Sequence, residues 1–210
     1  MKVFVAGASG AIGRPLIAEL IRQGHKVTGM SQSEAGAQEL MKQGAAAEVA
    51  NALDASSMER AIHHAKPEIV IDELTRLPKH PAEIQKYLPG DTQLRIEGSG
   101  NLHRIAQSYC VRRYLQQSSG FFLRAGNGLA DETEPMAVDA TPGVATSARM
   151  YAELEKHAEL RKNGRRPAAL WILLRSQHLV SQGGRCSGPC AETAISNCRR
   201  RSRSVVLRPY

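Results

Sequence analysis

The first thirteen residues, MKVFVAGASGAIG, constrain this chain more than any other stretch. Val3, Phe4 and Val5 form a short apolar run, β-branched at two positions, which predicts a buried strand. The run passes straight into a turn with glycines at 7, 10 and 13, and a helical pattern follows. A strand, a glycine turn and a helix in that order make a phosphate cradle. Gly7 permits the tight turn, and Gly10 lets a pyrophosphate approach the backbone without meeting a Cβ. Gly13 lets the helix pack close to the strand, and the start of that helix supplies free N–H groups and a positive dipole end. The spacing is G-x-x-G-x-x-G rather than G-x-G-x-x-G. Gly7, Ser9, Gly10, Ala11, Ile12 and Gly13 are therefore expected to line a bound dinucleotide.

With 210 residues the chain is long enough for one domain with a real core. No apolar run approaches the roughly 20 residues that span a bilayer. The N-terminus carries one Lys and then a strand pattern, unlike a signal peptide. The expectation is a cytoplasmic protein with no membrane partner.

Strand and helix patterns alternate along the chain. The first helix continues from Pro15 to Arg22 and stops at Gly24; strands follow at Lys26 to Met30, Ala46 to Ala50 and Glu68 to Asp72. Between them lie helices at Glu34 to Lys42 and, capped by Ser56 or Ser57, up to about Ala65. Thr92 to Cys110 predicts a long helix, Arg113 to Gln117 a fifth strand, Ser147 to Lys162 another helix, and Ala168 to Leu174 a sixth strand. Strands separated by helices imply right-handed crossovers and a parallel sheet. The predicted fold is α/β, a doubly wound Rossmann sandwich of three layers.

Composition breaks near residue 170. Residues 171–210 carry seven Arg and a single acid, Glu192, so +6 of the net charge of +8 sits there. Cys186, Cys190 and Cys198 fall in the same stretch, against Cys110 alone before it. The expected division is a dinucleotide-binding domain over residues 1–170 and a basic Cys/Arg/Ser-rich tail over 171–210 that is not an evolved domain.

The end of the second strand selects between cofactors. An acid there holds the ribose 2′-OH of NAD, and an Arg favours the 2′-phosphate of NADP. Here Ser31-Gln32-Ser33 is neither. Nothing repels a 2′-phosphate and the hydroxyls of Ser31 and Ser33 can bind one, a lean toward NADP that leaves NAD open.

GASGAIG, GHKVTGMSQS, NALDASSMERAI, KPEIVIDELTRLP and VRRYLQQSSGFF occur in that order. In register over about residues 1–170, they resemble the NAD-dependent epimerase/dehydratase branch of the short-chain dehydrogenase/reductase superfamily. The resemblance implies further site residues. Asn51, with Ala52 beside it, stands where the family contacts adenine. Leu74 and Thr75 stand where the end of the fourth strand lines the cofactor. Ser119, with Ser118 the alternative, matches the serine that polarises the substrate oxygen. A small-molecule substrate is implied. Oligomeric state is left open, although the family is often dimeric.

The family's acid/base pair is Y-x-x-x-K on the helix after the fifth strand. Counting from Tyr151, the lysine position holds Glu155, and Lys156 is one residue off, roughly 100° around the helix. Aligning on Glu155 as a later family feature puts Ser147 at the tyrosine and Tyr151 at the lysine. Neither register yields the pair. A phenol near pKa 10 with no cation beside it is a poor base at neutral pH. Tyr151 is the catalytic candidate, yet it reads better as a half-buried helix residue.

Other motifs point nowhere. His63 and His64 are adjacent and diverge by about 100° on their helix, which suits solvent rather than one metal ion. Cys186, Cys190 and Cys198 lack zinc spacing. Arg199 to Arg203 has no aromatic interleaving, so no nucleic-acid partner is expected. Two readings stay open: an NAD(P)-dependent epimerase/dehydratase or reductase for a nucleotide-sugar or small carbonyl substrate, and a non-catalytic NAD(P)-binding sensor.

Family members continue past this point with a pattern like L-R-Y-G-x-F-Y-G-P-G. Shifting the codons of Pro167 to Val180 by one base permits L-L-R-Y-G-F-F-Y-G-P-N-I-W, and Cys198 to Pro209 likewise permits V-G-G-G-x-G-V-W-S-F-V-H. The expectation is that residues from about 168 onward are read in the wrong frame, which would impair the protein as written.

Overall fold

The architecture comes from a computed structural model, which describes residues 1–78, 80–124, 126, 134–159 and 170–176. The opening apolar run becomes β1 (Lys2–Ala6), at the centre of a parallel sheet. Val3 and Val5 pack on one face with Val27, Ile69 and Ile71. Phe4 packs on the other with Val70, Met58 and Leu102. A strand covered on both faces has no solvent side to leave polar, so it reads as an unbroken apolar run.

The remaining elements follow the alternation: α1 (Gly13–Arg22), β2 (Lys26–Ser31), α2 (Glu34–Lys42), β3 (Ala46–Val49), α3 (Ala55–Ala65) and β4 (Ile69–Asp72). Then come α4 (Ile84–Gln93), α5 (Ser99–Ser108), β5 (Arg113–Ser119), α6 (Pro142–Glu159) and β6 (Leu170–Ser176). The strand order is β3-β2-β1-β4-β5-β6, with every pairing parallel. In register, Val3 lies opposite Val27 on one side and Ile69 on the other. Ile17 of α1 and Leu40 of α2 cover the first face; Met58 and Ile62 of α3 and Leu102 of α5 cover the second. This is the doubly wound three-layer sandwich.

The chain runs β1, β2, β3 toward one edge, then returns through α3 to place β4 on the other side of β1. The order reverses between β1 and β4, the point at which open α/β sheets hold their ligands, beyond the carboxyl ends of the strands.

Two local expectations are corrected. The cap of α3 is Asp54, whose carboxylate accepts from the backbone N–H groups of Ser56 (3.0 Å) and Ser57 (3.2 Å). An acceptor-only carboxylate at the positive end of a helix serves better there than a hydroxyl inside its first turn. The long helix starts at Ile84 rather than Thr92, passing through Pro89 and Gly90. It includes a π-helical turn, Leu94–Gly98, between α4 and α5. Asp91, buried in this helix, accepts from the backbone N–H of Arg76, a tertiary anchor that outweighs the local breakers.

Among the described residues no helix is long and apolar enough to cross a membrane. Apart from β6, the tail lies outside the described residues. So do Cys186, Cys190, Cys198, the Arg199 to Arg203 run and the expectation that the tail lacks a core.

Candidate functional site

Beyond β1 the chain turns tightly enough that side chains are excluded. Gly7 has φ +77°, and a Cβ there would lie 2.2 Å from the carbonyl oxygen of Glu73. A Cβ on Gly13 would lie 2.4 Å from the carbonyl oxygen of Gly7 and 2.6 Å from that of Ala8. Both glycines are thus required by the close passage of backbone past backbone. Gly10 differs: it is exposed, its N–H donates to the Gly7 carbonyl at 3.0 Å, and an added Cβ would stand 3.1 Å from that oxygen. A Cβ at Gly10 is tight against that one carbonyl but meets nothing else within 4 Å, so the fold excludes a side chain there far less firmly than at Gly7 or Gly13. Ile12 precedes α1 without any side-chain cap; the Arg14 N–H is taken by the Gly10 carbonyl at 3.2 Å and Pro15 has none, so Gly13 supplies the N–H of the first turn that a ligand can meet. Ser9 presents its carbonyl to Arg14 Nε at 3.0 Å, which holds a cation at the rim. Ala11 is exposed and Ile12 half-buried on the same turn. This cradle fits the pyrophosphate of a dinucleotide.

The other expected cofactor residues divide by burial. Ser31 is buried and its Oγ accepts from the Ser33 N–H at 3.2 Å; Ser33 caps α2 by accepting from Gly36 N–H at 3.2 Å. Both hydroxyls serve as acceptors within the turn and keep their protons to donate. That suits a ribose hydroxyl or a 2′-phosphate equally, so the geometry does not choose NAD over NADP. Asn51 is exposed, with Oδ1 accepting from Leu53 N–H at 3.1 Å and its amide nitrogen left to donate. Ala52 is wholly buried, and its carbonyl accepts from Asn101 Nδ2 at 3.0 Å. Leu74 is in the core, its N–H held by Asp72 Oδ1 at 3.1 Å, while Thr75 next to it is exposed.

At the end of β5 two neighbouring serines meet two residues of α6. Ser118 Oγ donates to Glu155 Oε1 at 2.6 Å, the length of a charge-assisted bond. Ser119 accepts from Phe121 N–H at 3.3 Å and lies within hydrogen-bonding reach of the Tyr151 phenol. The position a lysine would fill is thus occupied by a carboxylate already bound to Ser118. Tyr151 is buried between the ring of Phe122, stacked at 5.4 Å, and the guanidinium of Arg95, 5.2 Å from its ring centroid. Burial pushes its pKa up; Arg95 pulls against that, Asp91 adds to it, and Ser119 counters it again. The net direction is upward, so Tyr151 is less readily ionised than a free phenol and a poor source of phenolate at neutral pH.

Sequence reasoning missed four charged residues here. Arg95 comes from the π-helical turn and pairs with Asp91 at 2.8 Å, the two side chains only 5% and 3% exposed. Their i,i+4 spacing is the signal that marks them. Asp72, wholly enclosed at the end of β4, accepts from the Tyr114 hydroxyl at 2.7 Å. Burial raises its pKa, against the opposing pull of Tyr114, Ser99, the Leu74 N–H and Arg95. Glu73 follows it, with its carboxyl pushed up to about 7 by burial and by Asp72, Arg95 opposing. Adjacent acids closing an apolar strand at the sheet's carboxyl edge are the available sign. The groove lined by Ser56, Glu59, Arg60, His63 and Tyr109 contains none of these groups. Among the described residues, no three His, Cys, Asp or Glu side chains gather to hold a metal.

Comparison with known proteins bears on the family and the fold. The model of the NAD dependent epimerase/dehydratase family matches residues 3–158. A Streptomyces protein, 3-diazoavenalumate denitrifying reductase, is 35% identical over 158 residues, which is 74% of this chain and 51% of the relative. The chain therefore spans about half the length of that curated relative. The UDP-glucose 4-epimerase of Thermus thermophilus, solved with NAD, superposes with a TM-score of 0.67 at 22% identity, covering 83% of this chain and 54% of the epimerase. WbmG of Bordetella bronchiseptica, solved with NAD and UDP, gives 0.58 at 22% identity, covering 73% and 48%. At such identities these two structures bear on the fold alone. The family model and the reductase relative go further: this chain belongs to the NAD dependent epimerase/dehydratase family.

Proposed function

We propose that this chain is an NAD(P)-dependent reductase for a small electrophilic substrate, a carbonyl or a diazo compound. The observation that carries the reading is the state of Tyr151, sealed under Phe122 and Arg95 with Glu155 where a lysine would stand. Epimerising a sugar begins by taking a proton from a hydroxyl, and a phenol whose pKa is raised does that poorly at neutral pH. Reduction of an activated acceptor asks less of the protein. A nicotinamide dinucleotide, when bound, supplies a hydride. Ser119 offers an O–H to the acceptor, and the Gly7 to Gly13 turn fixes the dinucleotide's phosphates.

The reductase relative bears a name that describes reduction of a diazo compound with loss of nitrogen. Where hydrogen replaces nitrogen on carbon, no alkoxide forms and no side chain has to protonate one. That chemistry fits a site without the tyrosine–lysine pair. We further infer that residues 171–210, if out of frame, deprive the protein of substrate-holding elements and lower its turnover.

The test follows the absorbance of NADH and NADPH with a panel of aldehydes, ketones and aryl diazonium salts, alongside a UDP-hexose. Consumption of reduced cofactor with one of the first three classes is expected, and Tyr151→Phe should keep most of the rate. A loss on the order of 10²–10⁴ in Tyr151→Phe would show that the phenol relays protons after all. Interconversion of UDP-hexoses without net cofactor use would overturn the reading in favour of an epimerase. Binding with no turnover would favour the non-catalytic sensor.

A further inference from the structure

We propose that Glu73 is a cofactor-binding residue that engages the dinucleotide in its protonated form, so that cofactor binding is coupled to uptake of one proton from solvent. The inference rests on the reading that the chain binds NAD(P), and it adds a residue and a linkage that neither the family motifs nor the relatives assign.

Position comes first. Glu73 directly follows β4, at the point where the strand order reverses beside β1. Its N–H donates to the Ala6 carbonyl at 3.0 Å, and its own carbonyl presses against Gly7 so closely that no Cβ fits between. The backbone of Glu73 is thus one wall of the phosphate cradle.

The side chain is the second observation. Glu73 is partly buried, and its Oε2 is shut off from solvent with no hydrogen-bond partner. A buried polar atom left unpaired is uncommon in a folded protein, and this one belongs to the residue whose backbone forms a wall of the cradle. The neighbouring carboxyl of Asp72 is fully occupied by Tyr114 and the Leu74 N–H, so of the two acids only Glu73 has an oxygen still to be paired.

The charges around it decide the protonation state. On its own strand Asp72 disfavours a second negative charge. From the long helix Arg95 favours one, but that guanidinium is engaged by Asp91 and covered by the Tyr151 ring of α6. On the cradle side, Arg14 is tied to the Ser9 carbonyl. With these influences the carboxyl holds its proton up to about 7. An ionised carboxylate only accepts hydrogen bonds, and it repels a pyrophosphate laid on the adjoining turn. A protonated carboxyl donates one bond to a phosphate or ribose oxygen and still accepts one from a ribose hydroxyl. Binding therefore selects the neutral form, and a proton moves from buffer to the Glu73 carboxyl.

Calorimetry of the full chain with NADH, which has no group titrating near neutrality, tests this. Titrations at about pH 7 in phosphate and in Tris, buffers of different ionisation enthalpy, report proton uptake directly. About half a proton per NADH is expected there, because the free carboxyl is near its midpoint. Affinity should fall as pH rises above that point, approaching tenfold per unit. Glu73→Gln, which keeps a donor and an acceptor but does not titrate, should bind NADH with the same heat in both buffers and with a flat pH profile. Equal heats for the wild-type chain in the two buffers, or proton uptake that persists in Glu73→Gln, would overturn the inference while leaving cofactor binding intact. Absence of NADH and NADPH binding by the wild-type chain would overturn both it and the reading beneath it. If the variant does not fold, equal wild-type heats in the two buffers still overturn the inference, and wild-type uptake that does not decline below about pH 7 overturns it as well.

Discussion

Glu73 also leaves a mark on the protein before any ligand arrives. Its carboxyl titrates at about 7 in the folded chain against an ordinary value of 4.5. Between those pH values the folded state holds a proton that the unfolded state has released, so stability falls as pH rises through the window and levels off above it. The whole shift corresponds to about 3 kcal/mol. The side chain keeps some solvent contact, which screens the effect to about 1–2 kcal/mol. Glu73→Gln should therefore unfold at higher urea than wild type at about pH 8, and the gap should close near pH 4. A gap that stays constant with pH would mean that the buried carboxyl is not the source. Asp72 is the counter-case one residue earlier: equally acidic and more deeply buried, but satisfied by Tyr114 and the Leu74 N–H, it is a structural strut. Nothing in the letters Asp72-Glu73 separates the two roles. What separates them is tertiary: Asp72, the last residue of β4 to pair with β1, meets the Tyr114 hydroxyl, whereas Glu73 Oε2 is buried with no such partner among the described residues.

The strand, turn and helix formed by β1, residues 7–12 and α1 were the most legible part of the chain, because their order and glycine spacing are local. What the sequence did not separate is which glycines the fold requires and which the ligand requires. Gly13→Ala would drive a methyl into the carbonyls of Gly7 and Ala8, and those are backbone atoms that cannot step aside. It should destabilise the protein by several kcal/mol, as forced overlap in a packed site does. Gly10→Val meets only the Gly7 carbonyl, at a tight 3.1 Å, and projects from an exposed residue. It should fold with a melting temperature within a few degrees of wild type, yet show no rise in that temperature on adding NADH or NADPH. A Gly10→Val protein with unchanged cofactor affinity would sink the assignment of the turn. The helix carrying Asp91 and Arg95 was legible only in part, and for a different reason. Its π-helical turn, Leu94–Gly98, breaks the 3.6-residue phase, so a helical wheel drawn from Thr92 onward cannot place Arg95 against Tyr151. The missing cation of the tyrosine–lysine pair was sought along α6, whereas the charge that meets Tyr151 comes from another element.

At the scale of the whole molecule, the doubly wound order and the family both emerge from residues that precede the composition break. The family model ends at residue 158, and the seven Arg and three Cys of residues 171–210 lie beyond it. The Pro167 to Val180 stretch, displaced by one base, permits L-L-R-Y-G-F-F-Y-G-P-N-I-W. The step from Trp171 to Ile172 forces a glycine codon whatever synonymous bases are chosen. A second stretch, Cys198 to Pro209, permits a glycine run and S-F-V-H in the same displaced frame. Two separate stretches agreeing in one frame and in the family's order is not what an unrelated tail produces. We therefore propose that a single-base change near codon 168 shifted the frame. β6 pairs with β5 in the present frame, and the displaced frame also supplies an apolar and aromatic run there, so the sheet edge does not distinguish them. Resequencing the gene does. The expected result is one inserted or deleted base just before codon 168, and an open displaced frame through codon 210. A stop codon early in the displaced frame would refute the proposal. If the frame is open, a chain carrying the displaced tail should show stronger cofactor-dependent thermal stabilisation than the present one. It should also turn over substrate faster than the present chain, because the elements that follow β5 would again be sequences selected to pack on it.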